Sequence, residues 1–468
     1  MMTGINMKVF NRSTIGESHI ADKKPCQDYS LSYISESGIS IAIVSDGHGG
    51  KSYFRSQIGS ETACHVAKEC LESFVNNVDK SFYAVEGKEG VKILPLTAIE
   101  HPGKIGQSEE QLRQLSKSII HKWRQEIDKD AKERELTEWE ISNATEEDRA
   151  QLSNDKTRYR AYGCTLMAFV TTPDYWVALH LGDGKCIAFH DASAGMVWNE
   201  PLPWDDKCFL NKTTSLCAND AYESFRFAYG GVESMPLAVF LGSDGLDDTF
   251  GDTDLLCDFY IKVLKEILFS SQESVEAELD ASLSLLSRKG SLDDMSIACI
   301  YDEERLCENI NSILEHQISL VTQRISSSQR RVKELVARKE GLVKYLEVKD
   351  KFFLFRKEKE ELERTHNITS NTNLGIEIGF ADKDVSREEK HQEQLSQKQQ
   401  SLMNEREKLK KILLERASES CANADADANA NVVDSTIETN DEVPAENATA
   451  TIELDVALQL DEQVNTNE

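Results

Sequence analysis

The chain has 468 residues, 40% of them hydrophobic, and a formal net charge of -29 at pH 7. That length suits one large domain with appendages, or two domains, and the apolar share is enough for a core. So acidic a chain is a poor main partner for a nucleic-acid backbone or an anionic membrane, since both need a basic surface. The eleven cysteines form no Cys-x-x-Cys pair, and Cys164, Cys186 and Cys299 sit inside apolar runs. They read as small buried hydrophobes of a reducing cytosol. The start lacks a signal-peptide h-region, and no apolar run reaches the roughly eighteen residues a membrane helix needs, so a cytoplasmic location is expected.

The chain opens with strand signals at Lys8-Val-Phe, Tyr29-Ser-Leu-Ser-Tyr and Ile39 to Val44, separated by a polar loop ending at Asp28. After Gly50 the period changes: Phe54, Ile58, Ala63, Val66, Ala67, Cys70, Leu71 and Phe74 predict an amphipathic helix lying on the sheet. Residues 80–158 are polar and read as an insertion, with a helix that starts at Ser108 and carries Leu112, Leu115, Ile119, Trp123 and Ile127 on one face. Strands resume over Gly163–Val170, Tyr175–Leu181 and Lys185–His190, the last two expected as a hairpin across Gly182-Asp-Gly184. Residues 191–236 read as loop overhanging a site. Helices are expected over Leu255–Phe269 and Val275–Leu286, then a strand ending near Tyr301.

Beyond Asp302 the apolar residues Ile318, Val321, Ile325, Val332, Leu335, Leu342, Leu346 and Phe353 follow a heptad, with Ser328, Lys339 and Lys349 interrupting it. Leu395, Leu402 and Leu409 resume the spacing after a break at about 366–390. A helical hairpin is the favoured reading, and a dimerising coiled coil the alternative. From Cys421 the chain carries twelve acidic residues and no basic one, the composition of a disordered tail.

Three apolar runs end on Asp-Gly: Ile41-Ala-Ile-Val-Ser-Asp-Gly at Asp46, Val177-Ala-Leu-His-Leu-Gly-Asp-Gly at Asp183, and Leu237-Ala-Val-Phe-Leu-Gly-Ser-Asp-Gly at Asp244. Asp293-Asp294 instead precedes one. One Asp-Gly after a strand is ordinary turn chemistry. Three of them, with the fourth element, are not. In an antiparallel sheet a strand's finish lies beside its neighbour's start, so these acids, with Asp28, are expected along a single sheet edge. Clustered carboxylates repel unless a cation lies between them, and aspartates with backbone carbonyls suit Mg2+ or Mn2+ better than zinc. A pair of such ions about 3.5–4 Å apart can activate one water toward phosphorus. Asp46 is placed to bridge them, the Gly47 carbonyl is unhindered, and His48 could give a proton to a leaving alkoxide.

These residues carry a family resemblance. Cys26-Gln-Asp28, Val44-Ser-Asp-Gly-His-Gly-Gly50, Gly163-Cys-Thr165, Leu181-Gly-Asp-Gly184, Gly242-Ser-Asp-Gly-Leu-Asp-Asp248 and Ser291-Leu-Asp-Asp-Met-Ser296 resemble, in order and context, the metal-dependent type 2C serine/threonine protein phosphatases (PPM family). The short loop from Ser18-His19 to Asp28 is similar to the bacterial branch. The resemblance implies an α+β fold: a central antiparallel β-sandwich flanked by helices on both faces, with two Mn2+ or Mg2+ ions at one end. It spans residues 8–302 as catalytic domain, leaving 303–418 as a helical, coiled-coil-like arm and 419–468 as the disordered acidic tail. Carried over by position, Asp46 bridges the metals, the Gly47 carbonyl binds one, and Asp244 and Asp293 complete that side. Asp28 holds metal-bound water, His48 matches the proposed general acid, and Asp183 and Asp248 match the acids for a third, weaker ion. Where the family often has an arginine for the substrate phosphate, this loop offers Lys23 and Lys24. Asp294 stands where asparagine is common, adding negative charge beside the metals.

The expected activity is hydrolysis of phosphoserine and phosphothreonine esters on proteins, with phosphoprotein substrates and a cognate serine/threonine kinase as partners. The alternatives are a phosphatase-like scaffold working through the helical arm, and a two-metal phosphodiesterase or nuclease. The acidic balance disfavours the last, and a pure scaffold has no chemical need for Asp46, Asp244, Asp293 and His48 together. A homodimer through the C-terminal helices is the expected assembly if the arm does not fold back.

Overall fold

The computed structural model describes residues 7–78, 83, 90–94, 107–155, 157–191, 197–202, 204–209, 212–348, 356–366, 368–369 and 373–429. In chain order the elements are β1 (Met7–Thr14), α1 (Glu17–Asp22), β2 (Tyr29–Ile34), β3 (Ser40–Ser45), α2 (Ser56–Asn77), β4 (Lys92–Leu94) and α3 (Gln107–Glu133). There follow α4 (Glu138–Asn143), α5 (Glu146–Ala150), β5 (Leu166–Thr171), β6 (Tyr175–Leu181), β7 (Lys185–Phe189), β8 (Trp198–Asn199), β9 (Arg226–Gly231) and β10 (Ala238–Gly242). The rest are α6 (Asp244–Phe250), α7 (Thr253–Phe269), α8 (Gln272–Lys289), β11 (Met295–Asp302), α9 (Glu303–Val348), α10 (Arg356–His366) and α11 (Leu374–Asn429). The chain divides into two compact units, with the boundary between Ile310 and Asn311.

In the first unit two antiparallel sheets face each other. One has the order β1-β11-β10-β7-β8, the other β2-β3-β5-β6-β9-β4. Alternation along each strand decides what each sheet buries. Ala42, Val44, Met167, Phe169, Trp176 and Ala178 turn inward to meet Cys186, Val239, Leu241, Ala298 and Ile300 from the opposite sheet. The intervening residues Ile41, Ile43, Leu166, Val170, Val177 and Leu179 turn outward beneath α2 and α3. On the other sheet the outward Phe240 stacks on Tyr260 of α7, with ring centroids 4.2 Å apart. Strands buried on both faces read as continuous apolar runs, and these do.

Three differences from the sequence reading have physical causes. First, β6 and β7 are not a hairpin: β6 pairs with β5 and β9, whereas β7 pairs with β10 and β8. The Gly182-Asp-Gly184 turn therefore carries the chain from one sheet to the other. Gly182 takes φ +133°, and a Cβ there would lie 2.6 Å from Thr165. Second, the expected loop over 191–236 contains β9, which pairs on both sides, with β6 and β4. Arg226-Phe-Ala-Tyr-Gly-Gly231 has weak strand propensity, and tertiary pairing overrides it. Third, the polar stretch 80–158 supplies part of the main core. Leu112, Ile119, Trp123 and Ile127 of α3 are fully buried, and the Trp123 indole donates to the Gly59 carbonyl of α2 at 2.9 Å. Residues 80–82, 84–89, 95–106 and 156 of that stretch lie outside the described residues.

The second unit is an antiparallel helical hairpin. The later part of α9 is tied to α11 by Gln399 to Thr322 (2.7 Å), Ser328 to Glu388 (2.6 Å) and Lys339 to Asp382 (2.5 Å). Two of the expected heptad interruptions are therefore cross-links. Leu346, expected in the core, is 42% exposed, and Tyr345 is buried instead. A straight helix with 3.6 residues per turn drifts from a seven-residue repeat over such a length. α11 begins at Leu374, so the break is shorter than the sequence suggests. Lys349, Phe353 and residues 430–468, most of the acidic tail, lie outside the described residues, while 419–429, expected as the start of the disordered tail, continue α11.

Candidate active site

The five candidate acids do not lie along one sheet edge. They converge at one end of the sandwich from both sheets: Asp28 precedes β2, Asp46 follows β3, Asp183 sits on the crossing from β6 to β7, Asp244 follows β10 and Asp293 precedes β11. An open cleft of about 900 Å³ is lined there by Asp46, Gly47, His48, Asp183, Asp244, Asp248 and Asp293, among others. Asp28 is buried and does not line it.

Local bonding holds each group. Asp46 N–H donates to the Thr165 hydroxyl (3.0 Å), and Thr165 N–H donates to the Asp46 carbonyl (2.8 Å). Gly47 bridges Cys164, and His48 N–H reaches the Gly163 carbonyl at 3.1 Å. Gly163-Cys-Thr165 thus extends the strand that presents Asp46 and His48. A Cβ on Gly47 would lie 2.3 Å from the Gln27 carbonyl oxygen, so the close approach of the Asp28 loop requires glycine. Asp244 opens α6 directly after Ser243, which is tied to β11 by Ser296 N–H donating to its hydroxyl at 3.0 Å. Asp248 stands one turn further on. Asp293 follows Leu292, which takes φ 66°, a conformation non-glycine residues adopt at a cost of about 1 kcal/mol or more.

Carboxylate oxygens of Asp46, Asp183 and Asp244 all lie within 4.8 Å of one another. Asp183, assigned by resemblance to a weaker ion, is in this tight group, whereas Asp248 and Asp293 are not. Burial, then the neighbouring charges, pushes Asp28 and Asp46 well above the usual carboxylate range. Burial and Asp183 carry Asp244 up to about 7. Burial also raises Asp183, the nearby Thr213 hydroxyl partly offsetting it, and raises Asp248. One oxygen each of Asp28 and Asp183 is buried without a hydrogen-bond partner. Packed, raised carboxylates with orphaned oxygens are what a hard divalent cation satisfies, so the residues fit Mg2+ or Mn2+.

Asp294 does not line this cleft, but its charge reaches the site: after burial it is the largest cause of the upward push on Asp28. Its carboxylate accepts from Gly16 N–H (2.6 Å), Gln27 N–H (2.5 Å) and His19 Nδ1 (2.9 Å). Burial raises it, but those three bonds together hold it below the usual range. It pins the loop that ends in Asp28 against the start of β11.

His48 packs edge-on against Tyr53, with ring centroids 4.8 Å apart. Burial pushes its imidazole down to about 4, so it is neutral near pH 7. Lys23 and Lys24 do not line the cleft. Lys23 is the left-handed cap of α1, and Lys24 pairs with Asp22 at 3.5 Å. The lysines that line it are Lys207 and Lys212. Nothing in their local sequence marks them, because the contact forms only through the path of residues 205–224.

A carboxylate cluster joining two facing sheets suits a hard cation, and the sequence comparison gives the chain a family. The chain belongs to the protein phosphatase 2C family, whose profile, described as Protein phosphatase 2C, matches residues 15–284, more than half of the chain. It is with that family a protein serine/threonine phosphatase. A comparison with curated proteins finds no match. Among solved structures the chain is similar to the S. agalactiae serine/threonine phosphatase (16% identity, 63% of this chain and 99% of that one, TM-score 0.37). It is similar to serine/threonine phosphatase Stp1 from Staphylococcus aureus (14%, 64% and 97%, TM-score 0.37). The catalytic domain of PstP, in complex with two manganese ions, is a further neighbour (14%, 63% and 97%, TM-score 0.35). Family membership rests on the sequence profile rather than on these likenesses. No described helix is long and apolar enough to cross a membrane.

Proposed function

We propose that the chain hydrolyses phosphoserine and phosphothreonine esters of proteins at two hard divalent ions, Mn2+ or Mg2+, within a catalytic domain spanning residues 8–302. The observation that carries this reading is the Asp46, Asp183 and Asp244 group, with its oxygens within 4.8 Å and one Asp183 oxygen unpartnered. Asp46, Asp183 and Asp244 would hold the ions together with the Gly47 carbonyl and Asp293, and Asp28 and Asp248 would complete the acidic set around them. When bound, the ions would supply charge neutralisation and an acidified water for attack on phosphorus.

The protein's own groups orient that chemistry. Thr165 and Cys164 fix the backbone that carries Asp46 and Gly47, and Asp294 fixes the loop that carries Asp28. His48 sits where it could meet the leaving serine or threonine oxygen. Its neutral ring is a poor acid, but a docked phosphate dianion favours the imidazolium and opposes the effect of burial. The enzyme class that must supply the substrate is a protein serine/threonine kinase.

The test is release of inorganic phosphate from matched phosphoserine, phosphothreonine and phosphotyrosine peptides. The first two should turn over with Mn2+ or Mg2+ and stop in EDTA. Equal turnover with and without EDTA would sink the metal reading, and phosphotyrosine preference would sink the substrate class.

A further inference from the structure

We infer that the substrate phosphate is gripped by Lys207 and Lys212, which the segment between β8 and β9 carries over the cleft, and not by the lysines that precede Asp28. This deepens the reading above and rests on it.

The first argument is charge. The described residues lining the cleft include six aspartates, Asp46, Asp183, Asp220, Asp244, Asp248 and Asp293, and two lysines. A phosphate dianion entering such a cleft meets strong repulsion, relieved at the metal end only if ions bind. Away from the ions, Lys207 and Lys212 are the cationic side chains among the described residues that line the cleft. Neither ammonium has a carboxylate partner among the described residues. Lys207 Nζ donates to the uncharged Ser224 hydroxyl at 2.9 Å. An ammonium has three donors, so this contact leaves capacity for phosphate oxygens. By contrast Lys185, just beyond Asp183, is committed to Asp247 at 2.7 Å, and Lys24 is paired outside the cleft.

The second argument is that the segment is built in, so the lysines are placed rather than merely nearby. The buried Arg226 of β9 donates from Nη2 to the Gly182 carbonyl (2.7 Å) and contacts His180 Nδ1 at 2.9 Å. Its Nε lies 3.9 Å from Asp205. Cys208 Sγ also donates to the Gly182 carbonyl, at 3.4 Å. Thr213, next to Lys212, lies close enough to Asp183 to offset part of the upward push that burial gives its carboxylate. Further on, Leu216 N–H and the Ser215 hydroxyl both donate to the Cys164 carbonyl, at 2.9 and 3.1 Å. The same backbone that orients Asp183 and Gly47 therefore anchors both sides of the lysine pair.

The test compares wild type with K207A/K212A, K207R/K212R and K23A/K24A, all at exposed or half-buried positions. For each, the inhibition constant of inorganic phosphate and the kcat and KM for a phosphothreonine peptide and for p-nitrophenyl phosphate are measured in Mn2+. Loss of ground-state phosphate contacts raises KM at little cost to kcat. K207A/K212A should raise the phosphate inhibition constant and both KM values by about tenfold or more. The arginine pair should restore most of that, and K23A/K24A should leave it unchanged. An unchanged phosphate constant in K207A/K212A overturns the assignment. So does a KM rise for the peptide alone, which would place the lysines on flanking acidic residues of the substrate. If wild type shows no metal-dependent turnover, the proposed activity fails independently; phosphate titration by calorimetry in Mn2+ then decides the lysine assignment.

Discussion

At the residue scale, the cleft is held together against its own charge. Asp244, raised to about 7, has a folded value above its unfolded one, so between about 4 and 7 the metal-free fold binds more protons than the unfolded chain. That contribution to stability is present at low pH and lost as pH rises through the window. The raised Asp28, Asp46, Asp183 and Asp248 act in the same direction. His48, lowered to about 4, acts oppositely: its contribution is lost as pH falls from the ordinary histidine value toward 4. Five groups outweigh one. A cation bound only by the fold reverses the loss. The Mn2+-induced rise in melting temperature should therefore be larger at about pH 7.5 than at about pH 5, by scanning calorimetry. An equal rise at both would show that the carboxylates do not bind the ion. Gly47 offers a second prediction. Gly47→Ala drives a Cβ into the Gln27 carbonyl and should cost about 1–3 kcal/mol in urea unfolding. A neutral effect would mean that the Asp28 loop can move aside freely.

At the element scale, the positions of Asp28 and Asp293 depend on a loop pinned to a strand. Asp294→Ala removes the acceptor for Gly16, Gln27 and His19, and should weaken Mn2+ binding by about 10–100-fold, as loss of an outer partner does. Unchanged affinity in calorimetry would show that Asp28 holds its place unaided. α3 is an integral layer, so Trp123→Ala should destabilise the fold by about 3–5 kcal/mol; a loss below about 1 kcal/mol would make the helix a surface appendage. What could be read in the chain beforehand follows from this arrangement. Strands such as Ile41–Val44, ending on a carboxylate, and the apolar face of α3 announce themselves through local pattern. β9 did not, because an arginine and two glycines become a strand only between two partners. The turn at Asp183 looked like a hairpin because Gly-Asp-Gly suits a sheet-to-sheet crossing as well as a tight turn. Asp294 was legible as an acid but not in its partners, and Lys207 and Lys212 are local nonentities that long-range anchoring brings to the cleft.

At the scale of the molecule, two facing sheets gather carboxylates that lie more than 240 residues apart, from Asp46 to Asp293, into one cleft. The helical hairpin forms a separate compact unit, held along its length by cross-links such as Gln399 to Thr322. The central claim is that this cleft hydrolyses phosphoprotein esters with divalent ions. Its most direct test measures Mn2+ binding and phosphothreonine-peptide turnover together, on wild type, Asp46→Asn and Asp244→Asn. Both substitutions should keep the fold and lower turnover by more than the roughly 10–100-fold that loss of an outer partner costs, with a matching loss of Mn2+ affinity. Wild-type turnover that survives both substitutions, or Mn2+ affinity that neither changes, would contradict the account.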